Sequence, residues 1–347
     1  VSTASLPPRV TYSVSGNTVT IQGTPTSSAN SPYNFSIQTT GNTCVVAQAI
    51  GKITVEPDHS IAFASGNTNQ SVCVNTPIDP IVYTIGGGAT GVNIANLPPG
   101  ITYSVTGNTV TISGSPTTTV GGPSFHYDIQ TTGNSCIKAF AAGDIKVNPY
   151  PVPGFTLDKP GYCIPNALVK FNNTSVMPDL TQMTYAWDFG EPSSVPNNNS
   201  TLLHPSHWYS STGPFTVKLT ARSMAVLNGN AIGCLHDTTI LINNIHPQPV
   251  ADFYQSQPTG CLGDVVTFAD RTNQNTGVTT EWHWDMGDGI RPALPSFTHV
   301  YADTLEYNIR FYTVNMFGCN SDTINRLFKV YPNPTVNAGE DRMILQD

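Results

Sequence analysis

Charge is scarce in this chain. Of 347 residues only 14 are Lys or Arg and 22 are Asp or Glu, giving a formal net charge of −8. Long surface helices draw on Lys, Glu and Arg, so this poverty disfavours a helical architecture and suits strands joined by tight turns. No basic block offsets the acidic balance. Phosphate recognition draws on clustered Lys and Arg, so nucleic acid and anionic membrane surfaces are expected to be poor partners. No apolar run approaches the ~20 residues that a membrane-spanning helix requires, so no membrane insertion is expected in this segment. Hydrolase signatures are missing as well. The chain has no Gly-x-Ser-x-Gly and no His-Glu-x-x-His, and neither enzyme activity nor a cofactor is expected of it. Nor is there a leader: Val1 begins in mid-pattern, and any export signal or anchor is expected outside this stretch.

What the chain does have is turn chemistry: 29 Gly and 28 Pro among abundant Thr, Ser and Asn. Its 39% hydrophobic content falls in short alternating runs, which argues for folded strands rather than disorder. The length fits two or three ordinary domains, or about four small ones of roughly 90 residues.

An internal repeat decides between them. TYSVSGNTVTI at Thr11–Ile21 returns as TYSVTGNTVTI at Thr102–Ile112, 91 positions on (102 − 11). In each, alternation interrupted by a Gly-Asn pair predicts a β-hairpin with one buried face. IQTTGNTC at Ile37–Cys44 recurs as IQTTGNSC at Ile129–Cys136, and GKITV at Gly51 recurs as GDIKV at Gly143. The offset grows by one there, which implies an inserted residue in the loop before Phe125. The repeat resembles the immunoglobulin-like repeats of bacterial surface proteins. Leu97, Pro98, Gly100, Gly114, Pro116, Tyr127 and Ile129 carry that pattern, and the first copy departs from it at Arg9.

After residue 148 the vocabulary changes. MTYAWDFGEP at Met183 and TEWHWDMGDG at Thr280 are two versions of one motif, each followed by His-x-Tyr, at His207 and His299. This resembles the PKD domain, a β-sandwich, whose hallmark is Trp-Asp-Phe-Gly-Asp-Gly. The first copy reads Glu191-Pro192 where Asp-Gly is usual, which puts its turn geometry in question. Alternation places Tyr185 and Trp187, and likewise Trp282 and Trp284, on one core-facing side. Asp188 and Asp285 fall opposite, where they are expected to accept backbone N–H bonds and fix the loop.

The expected fold is therefore all-β: tandem Ig-like and PKD sandwiches in series. The expected modules are a truncated Ig-like repeat (1–56), a complete one (57–148), two PKD-like domains (149–247 and 248–331) and the start of a further module (332–347). Seven cysteines follow the same scheme. Each complete module has one ahead of its second strand and one in its last hairpin, so the expected bridges are Cys73–Cys136, Cys163–Cys234 and Cys261–Cys319. Six cysteines allow fifteen connectivities, so this pairing is a hypothesis. Cys44 is left over, its partner expected before the chain begins, with a free reactive thiol as the competing reading. Disulfides persist outside the cytoplasm, which implies an extracellular or cell-surface location.

Few residues invite other chemistry. His204 and His207 in HPSH read as half a zinc site, but His207 aligns with His299, which favours a turn-holding role. Asp285 and Asp288 are calcium candidates lacking a third acidic ligand nearby. Trp208 is a candidate for stacking on sugar rings, against a bland reading as packing inside or between sandwiches. Asp-Thr-apolar triplets at Thr238, Thr304 and Thr323 resemble O-glycosylation sites of secreted Bacteroidetes proteins. The combination as a whole resembles the very large surface proteins of Bacteroidetes, commonly exported by type IX secretion and in some cases gliding-motility adhesins. That resemblance implies a stalk or adhesin segment. Its partners would be neighbouring modules of the same long chain, surface polysaccharide or other adhesin copies. The rival expectations are accessory modules of a secreted polysaccharide- or protein-degrading enzyme, and a subunit of a self-assembling extracellular filament.

Overall fold

Apolar residues that alternate along short segments are satisfied by stacking two sheets with those faces inward. The computed structural model describes residues 2–41, 43–119, 124–226, 229 and 233–340, and does this repeatedly along the chain. Among the described residues there is no α-helix, and one short 3-10 turn lies at Pro192–Ser194. The chain divides into two compact units. One comprises Val1–Pro151, Met177–Met183 and Arg222–Leu235; the other comprises Val152–Val176, Thr184–Ala221 and His236–Asp347.

In the first unit the second repeat is a sandwich of two four-stranded sheets. One sheet runs Ile101–Thr106, Thr109–Gly114, Ile81–Gly87, His59–Ser65; the other runs Asn69–Cys73, Phe140–Asn148, Ser124–Gly133, Ala89–Ala95. Ile81, Tyr83, Val110, Ile112, Tyr127, Ile129, Ile145 and Val147 fill the space between them. The predicted hairpin is there, with Thr106 opposite Thr109, but its burial is uneven. Val110 and Ile112 are fully buried, whereas Tyr103 and Val105 stay exposed, because Ile101–Thr106 is the edge strand of its sheet. The first repeat keeps five of these eight strands among the described residues: Ser2–Ala4, Tyr33–Gln38 and Gln48–Ile53 in one sheet, and the hairpin Val10–Ser15/Thr18–Gly23. The loop expected to carry the inserted residue falls at 120–123, outside the described residues.

In the second unit each WD-motif segment builds its own sandwich around its own aromatic core. The earlier core contains Phe155, Phe171, Trp187, Phe189 and Tyr209; the later contains Phe253, Phe268, Trp284, Phe311 and Phe328. Tyr185 and Trp282 lie partly buried against these cores. Residues 332–340 form no strand, and the rest of the expected further module lies outside the described residues.

One feature of topology recurs in all three complete sandwiches. A short leading strand carrying a cysteine runs parallel to the module's last strand. Asn69–Cys73 pairs with Phe140–Asn148, Tyr162–Ile164 with Ile245–Pro247, and Thr259–Cys261 with Ile324–Tyr331. Cys73, Cys163 and Cys261 consequently sit opposite Asn148, His246 and Tyr331, at the end where the chain leaves the module.

This overturns the expected disulfides. The bonds join Cys73 to Cys234 and Cys163 to Cys319, so Cys73–Cys136, Cys163–Cys234 and Cys261–Cys319 do not form. The reason is polarity. Within a module the leading-strand cysteine lies at the trailing pole, while the last hairpin turns back to the leading pole. The hairpin cysteine therefore meets the preceding module's leading strand instead of its own. Cys234 Sγ lies 3.9 Å from the Asn148 carbonyl, and Cys319 Sγ lies 3.9 Å from that of His246. Cys136 and Cys261 are free thiols. Closing loops of 161 and 156 residues stabilises by about 5 kcal/mol each in the chain-entropy account.

Non-reducing peptide mapping is expected to recover a Cys73 peptide linked to a Cys234 peptide, and a Cys163 peptide linked to a Cys319 peptide. A protease cut near Pro151 should leave the two halves joined until reductant is added. Recovery of a Cys73–Cys136 link would contradict this connectivity.

Candidate functional site

The two WD motifs place chemically reactive side chains close together, and their geometry shows what each letter does. Trp187 and Trp284 are buried, and each donates its indole N–H to a carbonyl, Leu202 at 2.9 Å and Leu294 at 3.0 Å. Asp188 accepts the Gly190 N–H at 2.9 Å, and Asp285 accepts that of Gly287 at 3.1 Å, so each aspartate closes the turn behind its strand. The turn requires glycine. Gly190 has φ +73°, and a Cβ there would meet the Thr216 carbonyl oxygen at 2.4 Å.

The His-x-Tyr segment locks this turn from the facing sheet. Tyr209 donates its hydroxyl to the Phe189 carbonyl at 2.8 Å, and Tyr301 does the same to Met286 at 3.2 Å. His207 Nε2 meets Glu191 Oε2 at 2.9 Å, and His299 Nε2 meets Asp288 Oδ2 at 2.7 Å. The departure Glu191-Pro192 thus preserves a carboxylate at the position of Asp288. The longer side chain reaches further in: Glu191 and His207 are both buried, and the Ser210 hydroxyl and N–H donate to Glu191 Oε1 at 2.7 and 2.9 Å. Burial alone pushes the Glu191 carboxyl up, but the Ser210 hydrogen bonds and the His207 contact outweigh it and hold its pKa below the ordinary value. His207 also stacks on Phe189 at 4.6 Å and meets Tyr209 edge-on. These are clamps that hold loops.

The remaining candidates are dispersed. His204 accepts the Asn173 N–H through Nδ1, a different task from that of His207, so HPSH does not converge on a metal. Asp285 is committed to Gly287 and Arg291, and Asp288 to His299 and Ile290. Among the described residues no three His, Cys, Asp or Glu side chains gather as metal ligands. Trp208 is 58% exposed, which goes against the reading that it packs inside a sandwich and leaves its ring open to solvent. It lies on Ser206–Tyr209, where alternation turns His207 and Tyr209 inward and Trp208 out. Thr304 and Thr323 are exposed, and Thr238 is half-buried on Leu235–Ile242. Thr323 borders a groove of about 410 Å³ together with Arg291, Arg310 and the stacked rings of His283 and Tyr312. Cys44 is exposed. No helix among the described residues is long and apolar enough to cross a membrane.

Sequence reasoning missed the joints around the disulfides. At one of them Phe317, in the last hairpin of the later sandwich, stacks flat on His246 with ring centroids 3.6 Å apart. At the leading pole of the second repeat, His59 is buried and bonds Thr131 and Asn134, and Ile137 donates to Asp58. At two hairpins a neighbour of the cysteine grips the preceding linker: Ile137 beside Cys136, and Phe317 close to Cys319.

Residues 154–230 and 246–330 each match the PKD domain family. No curated protein matches the chain in sequence. Solved structures similar to it include the PKD1 domain of Vibrio anguillarum Epp, 20% identical with a TM-score of 0.22 over 25% of this chain and 96% of that one. The PKD1 domain of the Vibrio cholerae metalloprotease PrtV is 23% identical, with a TM-score of 0.22 over 24% and 96%. A three-domain Ig fragment of titin is 12% identical, with a TM-score of 0.44 over 81% and 100%.

Because the Glu191 pKa is lowered on folding, its contribution is present above the unfolded carboxylate value of about 4.3 and is lost as pH falls through the lower folded value. In calorimetric scans, E191Q should lower the melting temperature of the earlier PKD segment most at neutral pH. The gap from wild type should close as pH drops below that range; a gap constant down to strongly acid pH would remove the carboxylate from the explanation. Y209F, which strands a buried carbonyl, should cost about 1–3 kcal/mol.

Proposed function

We propose that this chain is a load-bearing spacer segment of a large extracellular surface protein, holding a binding tip away from the cell or forming part of a surface fibre. The observation that supports it most directly is the disulfide connectivity. A bond inside one sandwich protects that sandwich alone. Here each bond ties the leading strand of one module to the last hairpin of the next, across the linker where a string of domains would otherwise come apart. The polar groups of the WD and His-x-Tyr motifs are spent on holding loops, as expected of a scaffold. Ig-like and PKD modules in tandem are the composition that motivates a Bacteroidetes surface protein exported by type IX secretion, with surface polysaccharide or other adhesin copies as partners of the whole molecule.

Single-molecule pulling from the two ends tests the spacer reading. In the oxidised chain the shortest covalent route from residue 73 to residue 319 passes through both bonds and the 71 residues between Cys163 and Cys234 (234 − 163). Reduction opens the full 246 residues (319 − 73), so the unfolded contour should lengthen by roughly 60 nm at ~3.5 Å per residue. Equal extensions with and without reductant would sink the load-bearing reading. Sedimentation should show monomers, and regular polymers of the purified chain would favour the filament instead.

A further inference from the structure

The first repeat is a sandwich with an open side. Phe35, Ile37, Ile53 and Val55 are only partly buried, whereas their counterparts Tyr127, Ile129, Ile145 and Val147 in the second repeat are closed off from solvent. What covers them there includes the segment Asn69–Ile78. It pairs parallel with Asp144–Asn148, then donates from Val74, Asn75 and Ile78 to the carbonyls of Asn148, Pro116 and Gly114. The corresponding carbonyls of the first repeat belong to Glu56, Pro25 and Gly23. Between Pro25–Ala29 and Val55–Asp58 lies a cleft of about 570 Å³, where the second repeat seats that segment.

Cys136 stands at the edge of this cleft. Its sulfur lies 3.6 Å from the Glu56 carbonyl. Cys234 and Cys319 make the equivalent approach to Asn148 and His246, and there each is bonded to the leading-strand cysteine that lies beside that carbonyl. We propose that the cleft of the first repeat receives a leading strand of the Asn69–Ile78 type, running parallel to Lys52–Glu56, and that Cys136 forms a disulfide with the cysteine this strand carries. The occupant is a cysteine-bearing extended segment that is not already paired in a sheet. A second folded copy of this chain cannot supply it, because its Asn69–Cys73 is already paired in a sheet and its Val74, Asn75 and Ile78 are already hydrogen-bonded beside it. In forming the bond the two thiols give up two protons and two electrons to a disulfide-donating oxidant, which leaves as a dithiol. Cys261 is the complementary half. It lies on a leading strand that is already paired with the last strand of its sandwich, opposite Tyr331.

The test uses the oxidised chain and a ten-residue peptide, NQSVCVNTPI, whose cysteine is activated as a mixed disulfide with thionitrobenzoate. The Cys136 thiolate attacks the peptide sulfur, the bond to thionitrobenzoate breaks, and thionitrobenzoate departs as the coloured thiolate. Docking should raise the rate at Cys136 about tenfold over a scrambled peptide, with the adduct located by mass mapping. Cys261 should show no preference for peptide order. Cys261 is exposed and Cys136 only partly so, which means that simple accessibility predicts the reverse ranking. Sequence-selective labelling of Cys136, lost when the Val before the peptide cysteine is replaced by Pro, supports the proposal. Equal rates with the scrambled peptide, faster reaction at Cys261, or a Cys136–Cys136 dimer forming ahead of the adduct would each overturn it.

Discussion

Everything distinctive in this molecule follows from a parallel pairing of very short strands. Three residues of leading strand laid beside the last strand contribute little burial, yet they fix where a cysteine stands. Antiparallel hairpins alone would return that cysteine towards the pole from which the chain came. The parallel register instead carries it to the pole from which the chain departs, and from there its nearest sulfur belongs to the next module. Connectivity is thus a consequence of strand direction, and sequence proximity plays no part in it.

The second level of order is inside each sandwich. A Trp fills the core, a Gly permits the turn, and an acid–histidine pair with a tyrosine hydroxyl joins that turn to the opposite sheet. Each buried polar atom named here has its hydrogen bond, so the clamp adds rigidity without leaving an uncompensated charge in the core. Two sequences that differ at Glu191 and Asp288 reach the same solution with carboxylates of different length, one buried and one nearer the surface. The clamps fix loops within each sandwich, and the two disulfides join one sandwich to the next across the linkers.

Much of the fold was legible in the residues. Alternation and Gly-Asn turns gave the hairpins, the near-identical copies gave the repeat, and the WD and His-x-Tyr motifs gave two sandwiches with Trp187 and Trp284 at their centres. The roles of Asp188 and Asp285 were legible for the same reason: a short acid before a glycine turn has few other things to do. Connectivity was not, because cysteine positions within a module say nothing about which pole each occupies until strand direction is known. Residue type left Trp208 between two readings, although its neighbours His207 and Tyr209, both inward, settle its exposure by alternation. The partner of Glu191 was hidden because the motif usually has Asp there, and the reach of one extra methylene is not visible in a one-letter code.

The staggered bonds also impose an order on biosynthesis. A ribosome delivers this chain from the amino end, and Cys73 cannot close until Cys234, 161 residues later, has followed it out. The newest module on an emerging chain therefore always carries an unsatisfied thiol, and oxidation trails synthesis by a whole domain. Any compartment that assembles such a protein has to keep those waiting sulfurs from capping one another prematurely.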